Sequence, residues 1–171
     1  HPPAARNCPP VQKILDAGAT ITGKTVCDEY FYSVSGANAH YGTPVNVRAP
    51  GRLPGGSSAG SAAACGANLC DFALGSDTGG SLRNPASFCN VVGFRPSPGR
   101  TPSDGHTWSP LSVTGPMARN VADVALFLSA IAGPDAHNPL SIDEDPAKFA
   151  RPLGREFKGV RVAWFNGLGG I

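Results

Sequence analysis

The sequence predicts an α/β fold, with a mixed β-sheet core and helices on both faces. Three observations predict it. Apolar runs of strand length alternate with segments that carry helical periodicity. The chain has 171 residues of which 41% are hydrophobic, enough for one domain with a real core, since roughly 70% of the unfolded surface can be buried at this size. Its 22 glycines and 17 prolines sit between the apolar segments as turn residues and form no low-complexity tract.

Each element follows from local chemistry. Residues 9–18, PPVQKILDAG, read as a short helix: Pro10 suits the first turn, Val11, Ile14 and Leu15 share a face, and Gly18 suits the stop. ATITGKTV (19–26) reads as a strand, and 30–54 as mostly loop, punctuated by Gly, Pro and Asn. From Ser58 to about Ala67 small residues suggest a helix with Ser57 or Ser58 as N-cap, presenting a face that other backbone can approach closely. DFALGS (71–76) reads as a buried strand, Asn84-Pro85 as the cap and first turn of a short helix, and VVGFRP (91–96) as another strand. Residues 97–116 read as loop. The clearest helix runs from the Asn120 cap to Gly133, with Val121, Val124, Ala125, Leu128 and Ile131 as apolar positions. Residues 134–157 read as an irregular surface segment, and VRVAWF (160–165) as a last strand.

Composition excludes several function classes. The net charge is +2, and the ten arginines and four lysines are scattered, so no nucleic-acid footprint is expected. No apolar run approaches the roughly 20 residues that span a bilayer, and HPPAARNCPP has no signal-peptide core. Five cysteines, an odd number without a CxxC pair, read as reduced thiols of a cytoplasmic protein, and the apolar or small flanks of four of them suit buried packing. The start at His1 and the end on FNGLGGI suggest a piece of something longer.

Two glycine–serine clusters carry the chemistry: GGSSAGS at 55–61 and GSDTGGS at 75–81, with Ser57 and Ser81 24 positions apart. Acyl transfer needs a nucleophile and donors aimed at the developing oxyanion, and backbone N–H groups in a glycine turn can supply them. Thr78, Gly79, Gly80 and Ser81 are the candidates, beside the Ser81 hydroxyl. A Gly-Gly turn with a capping serine is the plainer alternative. A serine also needs a base. His1, His40, His106 and His137 sit in no recognisable catalytic frame, so a Ser-His-Asp triad is poorly supported. No GxxxxGK[ST] phosphate loop and no metal-ligand spacing is present.

The joint pattern strongly resembles the amidase signature family. The resemblance runs through GRLPGGSSAGSAAA, FALGSDTGGSLRNPASFCNVVGFRPSPGR and GPMARNVADVA, with GKTVCDEY and YGTPVN as flanks. It implies an amide hydrolase with a Ser–cis-Ser–Lys triad. Ser81 would be the acylated nucleophile and Ser57 the bridging serine, on a cis peptide bond after Gly56. Thr78, Gly79, Gly80 and Ser81 would form the oxyanion hole, and Asp77 and Arg83 would brace the loop as an ion pair. The family's lysine base lies upstream of GKT, in a segment this sequence does not contain; Lys24 matches a different position and reads as structural. Residues 1–171 are therefore expected to be the central part of a single amidase signature domain, lacking its N- and C-terminal portions. The resemblance implies a small-molecule amide substrate and no cofactor, and admits a homodimer. The alternatives are a glutaminase subunit of a tRNA-dependent amidotransferase and a non-catalytic fragment. The loop at 97–116, with His106 and Trp108, is expected to contribute one substrate wall.

Overall fold

The computed structural model describes residues 3–103, 109–164 and 167. Among the described residues, four α-helices and three strands are arranged in chain order as α1 (Pro9–Asp16), α2 (Ala59–Gly66), β1 (Phe72–Asp77), α3 (Arg83–Phe88), β2 (Val92–Gly93), β3 (Val113–Ala118) and α4 (Val121–Ile131). Two 3₁₀ turns occupy Glu29–Phe31 and Pro146–Ala150. No helix among the described residues is long and apolar enough to cross a membrane.

The sheet has the order β1-β3-β2 and both of its pairings are antiparallel, where a mixed sheet was expected. Helices do cover both faces. Ala73 and Met117 pair across the strands and belong to one cluster with Ala62, Ala63 and Cys65 of α2, Leu82 and Cys89. The alternate residues, Phe72 and Leu74, face Ile14 of α1 and Phe127, Leu128 and Ile131 of α4. Phe72 stacks on Phe127 with ring centroids 5.1 Å apart. This period-two division of side chains lets one short sheet serve two cores.

The central strand β3 lies where the sequence reads as the end of a loop and the approach to a helix. Gly115 and Pro116 disguise it, because proline demotes a strand reading. Pro116 is tolerated through its orientation. Its carbonyl accepts the Phe94 N–H at 3.0 Å, so its missing N–H faces the β2 side, since both groups of one residue point the same way in an antiparallel ladder. With no N–H to return, the β2 ladder stops at Gly93, which is why VVGFRP yields only two strand residues.

The strand expected at 19–26 does not form. Its end is a strap on α2: Gly60 N–H donates to the Val26 carbonyl at 2.8 Å, and Thr25 and Ser61 hydroxyls are hydrogen-bonded at 2.8 Å. The segment spends its carbonyl on a helix N-terminus instead of a sheet edge. Residues 160–164 form no strand either, and Val162 and Trp164 are exposed; a strand exists only by pairing, and no described segment pairs with this one. Phe165, at the end of that expected strand, lies outside the described residues, as do His106 and Trp108.

Helix ends follow the local chemistry in part. Asn120 caps α4 by accepting the Asp123 N–H at 2.8 Å. Gly18 follows α1 with φ 85° and takes the left-handed stop. Ser58 occupies the N-cap of α2, but its hydroxyl makes no cap bond and reaches across to Ser76. The third helix begins at Arg83, without a side-chain cap, so Asn84 lies inside it. On α4, Val121 is exposed and Phe127 is buried, a refinement the apolar pattern did not provide.

Candidate active site

The site forms where the C-terminal end of β1 meets the N-terminus of α2. Gly75 and Gly115 are directly paired across the sheet. A Cβ on either would meet Leu82 at 2.8 and 2.7 Å respectively. The paired glycines thus make a slot for the fully buried Leu82 side chain. Seating Leu82 there fixes the position of its neighbour Ser81.

The turn before Ser81 is wound around Asp77, which is fully buried. The Gly80 N–H donates to Oδ1 at 2.7 Å and the Leu82 N–H to Oδ2 at 3.2 Å. Arg83 grips both oxygens, Nε to Oδ2 at 2.9 Å and Nη2 to Oδ1 at 3.0 Å. Arg95 adds Nη1 to Oδ1 at 3.2 Å, and also donates to the Asp77 carbonyl and, at 2.9 Å, to the Leu111 carbonyl. Burial pushes the Asp77 carboxyl up, but the hydrogen bonds from Arg83, Gly80 and Leu82 outweigh it and hold it below its ordinary value. The Arg83 guanidinium is held correspondingly above its own by the hydrogen bond to Asp77.

Gly80 therefore departs from the expected donor role. Its N–H is already given to Asp77, and its φ of 131° is what the turn requires of it. A Cβ at Gly80 would also meet Asn84 Nδ2 at 2.7 Å. Gly79 is the opposite case: a Cβ there would meet nothing within 4 Å. The N–H groups of Thr78, Gly79 and Ser81 have no hydrogen-bond partner among the described residues.

The second turn delivers Ser57. Its peptide bond with Gly56 is cis. The Gly56 N–H donates to the Val34 carbonyl at 2.9 Å, and the Ser58 N–H donates to the Ser81 carbonyl at 3.3 Å, so the two turns are directly joined. The Ser58 hydroxyl accepts the Ser76 N–H at 3.2 Å and donates to the Ser76 carbonyl at 3.3 Å. Ser57 has no exposed surface, and its Oγ has no hydrogen-bond partner among the described residues.

Ser57, Ser81, Ser76, Thr78 and Gly79 line a cleft of about 300 Å³ together with residues 31–34, Phe31-Tyr32-Ser33-Val34. Tyr30 and Phe31 hold left-handed φ values of 52° and 60°, unusual for bulky residues. Phe31 and Tyr32 are exposed and contribute to the cleft lining. None of the four lysines lines the cleft, and Lys24 is exposed. His137 pairs with Asp135 on the surface, and all five cysteines are free thiols.

Three residues of the site were missed from sequence. Arg95 sits in an apparent strand with nothing to mark it. Leu82 was given no role. Asp28 is a fully buried carboxylate whose N–H donates to the Ser57 carbonyl at 3.2 Å and whose Oδ2 accepts the Gly36 N–H at 3.1 Å. Only the flank GKTVCDEY touched it, and that gave it no role.

Known proteins match the chain over most of its length. The family profile described as Amidase matches residues 1–170, and the chain belongs to that family, the amidase signature family. The chain is 44% identical over 154 residues to a glutamyl-tRNA(Gln) amidotransferase subunit of Salinibacter ruber, covering 89% of this chain and 30% of that protein. It is 60% identical over 99 residues to Amidase 1 of Oryza sativa subsp. japonica, covering 58% of this chain and 23% of that protein. Among solved structures, the corresponding glutamyl-tRNA(Gln) amidotransferase subunit of Thermotoga maritima superposes with a TM-score of 0.76 at 36% identity, over 82% of this chain and 32% of that one. Peptide amidase from Stenotrophomonas maltophilia gives 0.68 at 35% identity, over 87% and 31%. The chain thus spans less than a third of each of these relatives.

Proposed function

We propose that this chain is the central part of an amidase signature domain that hydrolyses the amide bond of a small molecule through a Ser81 acyl-enzyme. The observation that carries the reading is the convergence of Ser57 and Ser81 on one cleft, beside the N–H groups of Thr78 and Gly79. In the reaction, a neutral base takes the Ser57 proton while Ser57 takes the Ser81 proton, and Ser81 Oγ attacks the carbonyl carbon. The N–H groups of Thr78, Gly79 and Ser81 receive the oxyanion; one such donor typically supplies about 3–4 kcal/mol. The proton returns through Ser57 to the leaving nitrogen, the C–N bond breaks, and water cleaves the resulting ester by the same relay. By family resemblance the base is a lysine outside these 171 residues. The relay itself needs no metal or organic cofactor.

Labelling the complete protein with a fluorophosphonate serine probe, followed by peptide mass mapping, tests this. The expected adduct is on Ser81, and it disappears, together with amide hydrolysis, in Ser81→Ala. Undiminished hydrolysis by Ser81→Ala rejects the reading. The 44% identity to a glutamyl-tRNA(Gln) amidotransferase subunit favours a second reading, in which the same site acts on glutamine within a complex. Co-purification of stable partner proteins, with hydrolysis restricted to glutamine, distinguishes the two.

A further inference from the structure

Two buried side-chain oxygens lack a hydrogen-bond partner among the described residues: Ser57 Oγ and Asp28 Oδ1. Buried polar atoms are nearly always paired, so each of these asks for a donor. Both belong to one small piece of structure. The Asp28 N–H donates to the Ser57 carbonyl. The Asp28 carboxylate packs against Gly56 so closely that a Cβ there would lie 2.8 Å from Asp28 Cγ. Gly36 N–H anchors Oδ2, which leaves Oδ1 open. A fully buried carboxylate, tethered at one oxygen and open at the other, favours a cationic donor above any other.

We propose that Asp28 is a positioning residue for the base of the relay: Oδ1 receives the base nitrogen, aims it at Ser57, and stabilises the cation it becomes. This rests on the Ser81–Ser57 relay proposed above. As the base accepts the Ser57 proton it gains a positive charge, while the negative charge develops on the substrate carbonyl oxygen. A carboxylate beside the base interacts more strongly with that cation than with the neutral form, so its contribution is to the transition state. The aspartate of a Ser-His-Asp triad assists its histidine by the same physics. Two neighbouring carboxylates are engaged elsewhere. Glu29 accepts the Ala39 N–H at 2.8 Å, and Asp77 is held by Arg83 and Arg95. The Cys27 thiol is pushed up by burial and then by the Asp28 charge.

The test is Asp28→Asn in the complete enzyme, with kcat, KM and the pH profile of kcat/KM measured alongside Ser81→Ala. The expected result is a kcat lower by about 10²-fold or more with KM little changed. The acid limb of kcat/KM should move to lower pH, because losing a carboxylate lets the base shed its proton more easily. An unmoved acid limb, whether kcat is kept or lost together with KM, overturns the proposal and leaves Asp28 a structural residue. Should Asp28→Asn not fold, a structure of the complete enzyme decides: a nitrogen of the base within about 3 Å of Oδ1 supports the proposal, and a water or no donor there overturns it. Retained hydrolysis by Ser81→Ala would instead remove the relay itself, so the two failures are separable.

Discussion

The turn that carries Ser81 and the turn that carries Ser57 share a composition, two glycines before a serine, yet they are held by different forces. The Ser81 turn is tied by charge: a buried carboxylate gathers two backbone N–H groups and two guanidinium groups. The Ser57 turn is tied by close approach. Gly56 lies against Asp28, Gly60 lies against the Val26 backbone, and only neutral or backbone hydrogen bonds cross it, apart from those of Asp28. The difference matches the tasks proposed for them. A nucleophile beside an oxyanion site needs rigid N–H groups, and a buried carboxylate that accepts from the turn fixes their directions. A proton relay needs a hydroxyl free of competing partners, and steric confinement holds it without consuming its Oγ.

The comparison predicts effects of different kinds, of which the largest is on catalysis. Ser57→Ala in the complete enzyme should lower kcat/KM by about 10³-fold or more. Because its hydroxyl makes no hydrogen bond among the described residues, Tm should move by less than about 3 °C. Steady-state kinetics and calorimetry on one preparation check both halves; a large loss of Tm would show the hydroxyl to be structural. Asp77→Ala should do the reverse, destabilising by about 2–3 kcal/mol because it leaves the N–H groups of Gly80 and Leu82 without their acceptor. Denaturant unfolding reads that loss. A stability change below about 1 kcal/mol would break the claim that charge ties this turn.

Two smaller effects sharpen the contrast. Gly60→Ala should cost about 1–3 kcal/mol, since its Cβ would fall 2.6 Å from the Val26 carbonyl oxygen and 2.7 Å from its nitrogen, both rigid backbone. An unchanged Tm would mean the strap at 25–26 gives way freely. The Asp77 carboxyl is depressed in the fold, so its stabilising contribution is complete above the ordinary carboxylate pKa of about 3.9 and is lost as pH falls through the lower folded value. Thermal unfolding between pH 6 and acid should therefore show a decline below about pH 4 that is shallower in Asp77→Ala, where the depressed Asp135 carboxyl still contributes.

Legibility from sequence was uneven, and the reasons differ by residue. Helices announced themselves, because capping and periodicity are local: Asn120, Pro10 and Gly18 act within a turn of where they stand. The outer strands misled, because 19–26 and 160–164 have strand composition and a strand needs a partner that composition does not specify. The central strand hid behind Pro116, which is harmless only because its missing N–H faces the short β2 ladder. At the site, Ser57, Ser81, Asp77 and Arg83 were named from their spacing and the family resemblance. Gly80 was given a donor role that its bond to Asp77 takes away. Asp28, Leu82 and Arg95 went unnoticed, since their importance comes from contacts with Gly56, the Gly75–Gly115 slot and Asp77.

By itself the sequence determined the family, the two glycine–serine turns and the principal helices, because these depend on contiguous residues with short-range chemistry. Only the tertiary structure decided which N–H groups stay free for a ligand, which carboxylate lies beside Ser57, and which apolar segments pair into a sheet. Each of those is a competition among partners distant in sequence. Its outcome rests on distances and burial, which appear only when the chain is folded.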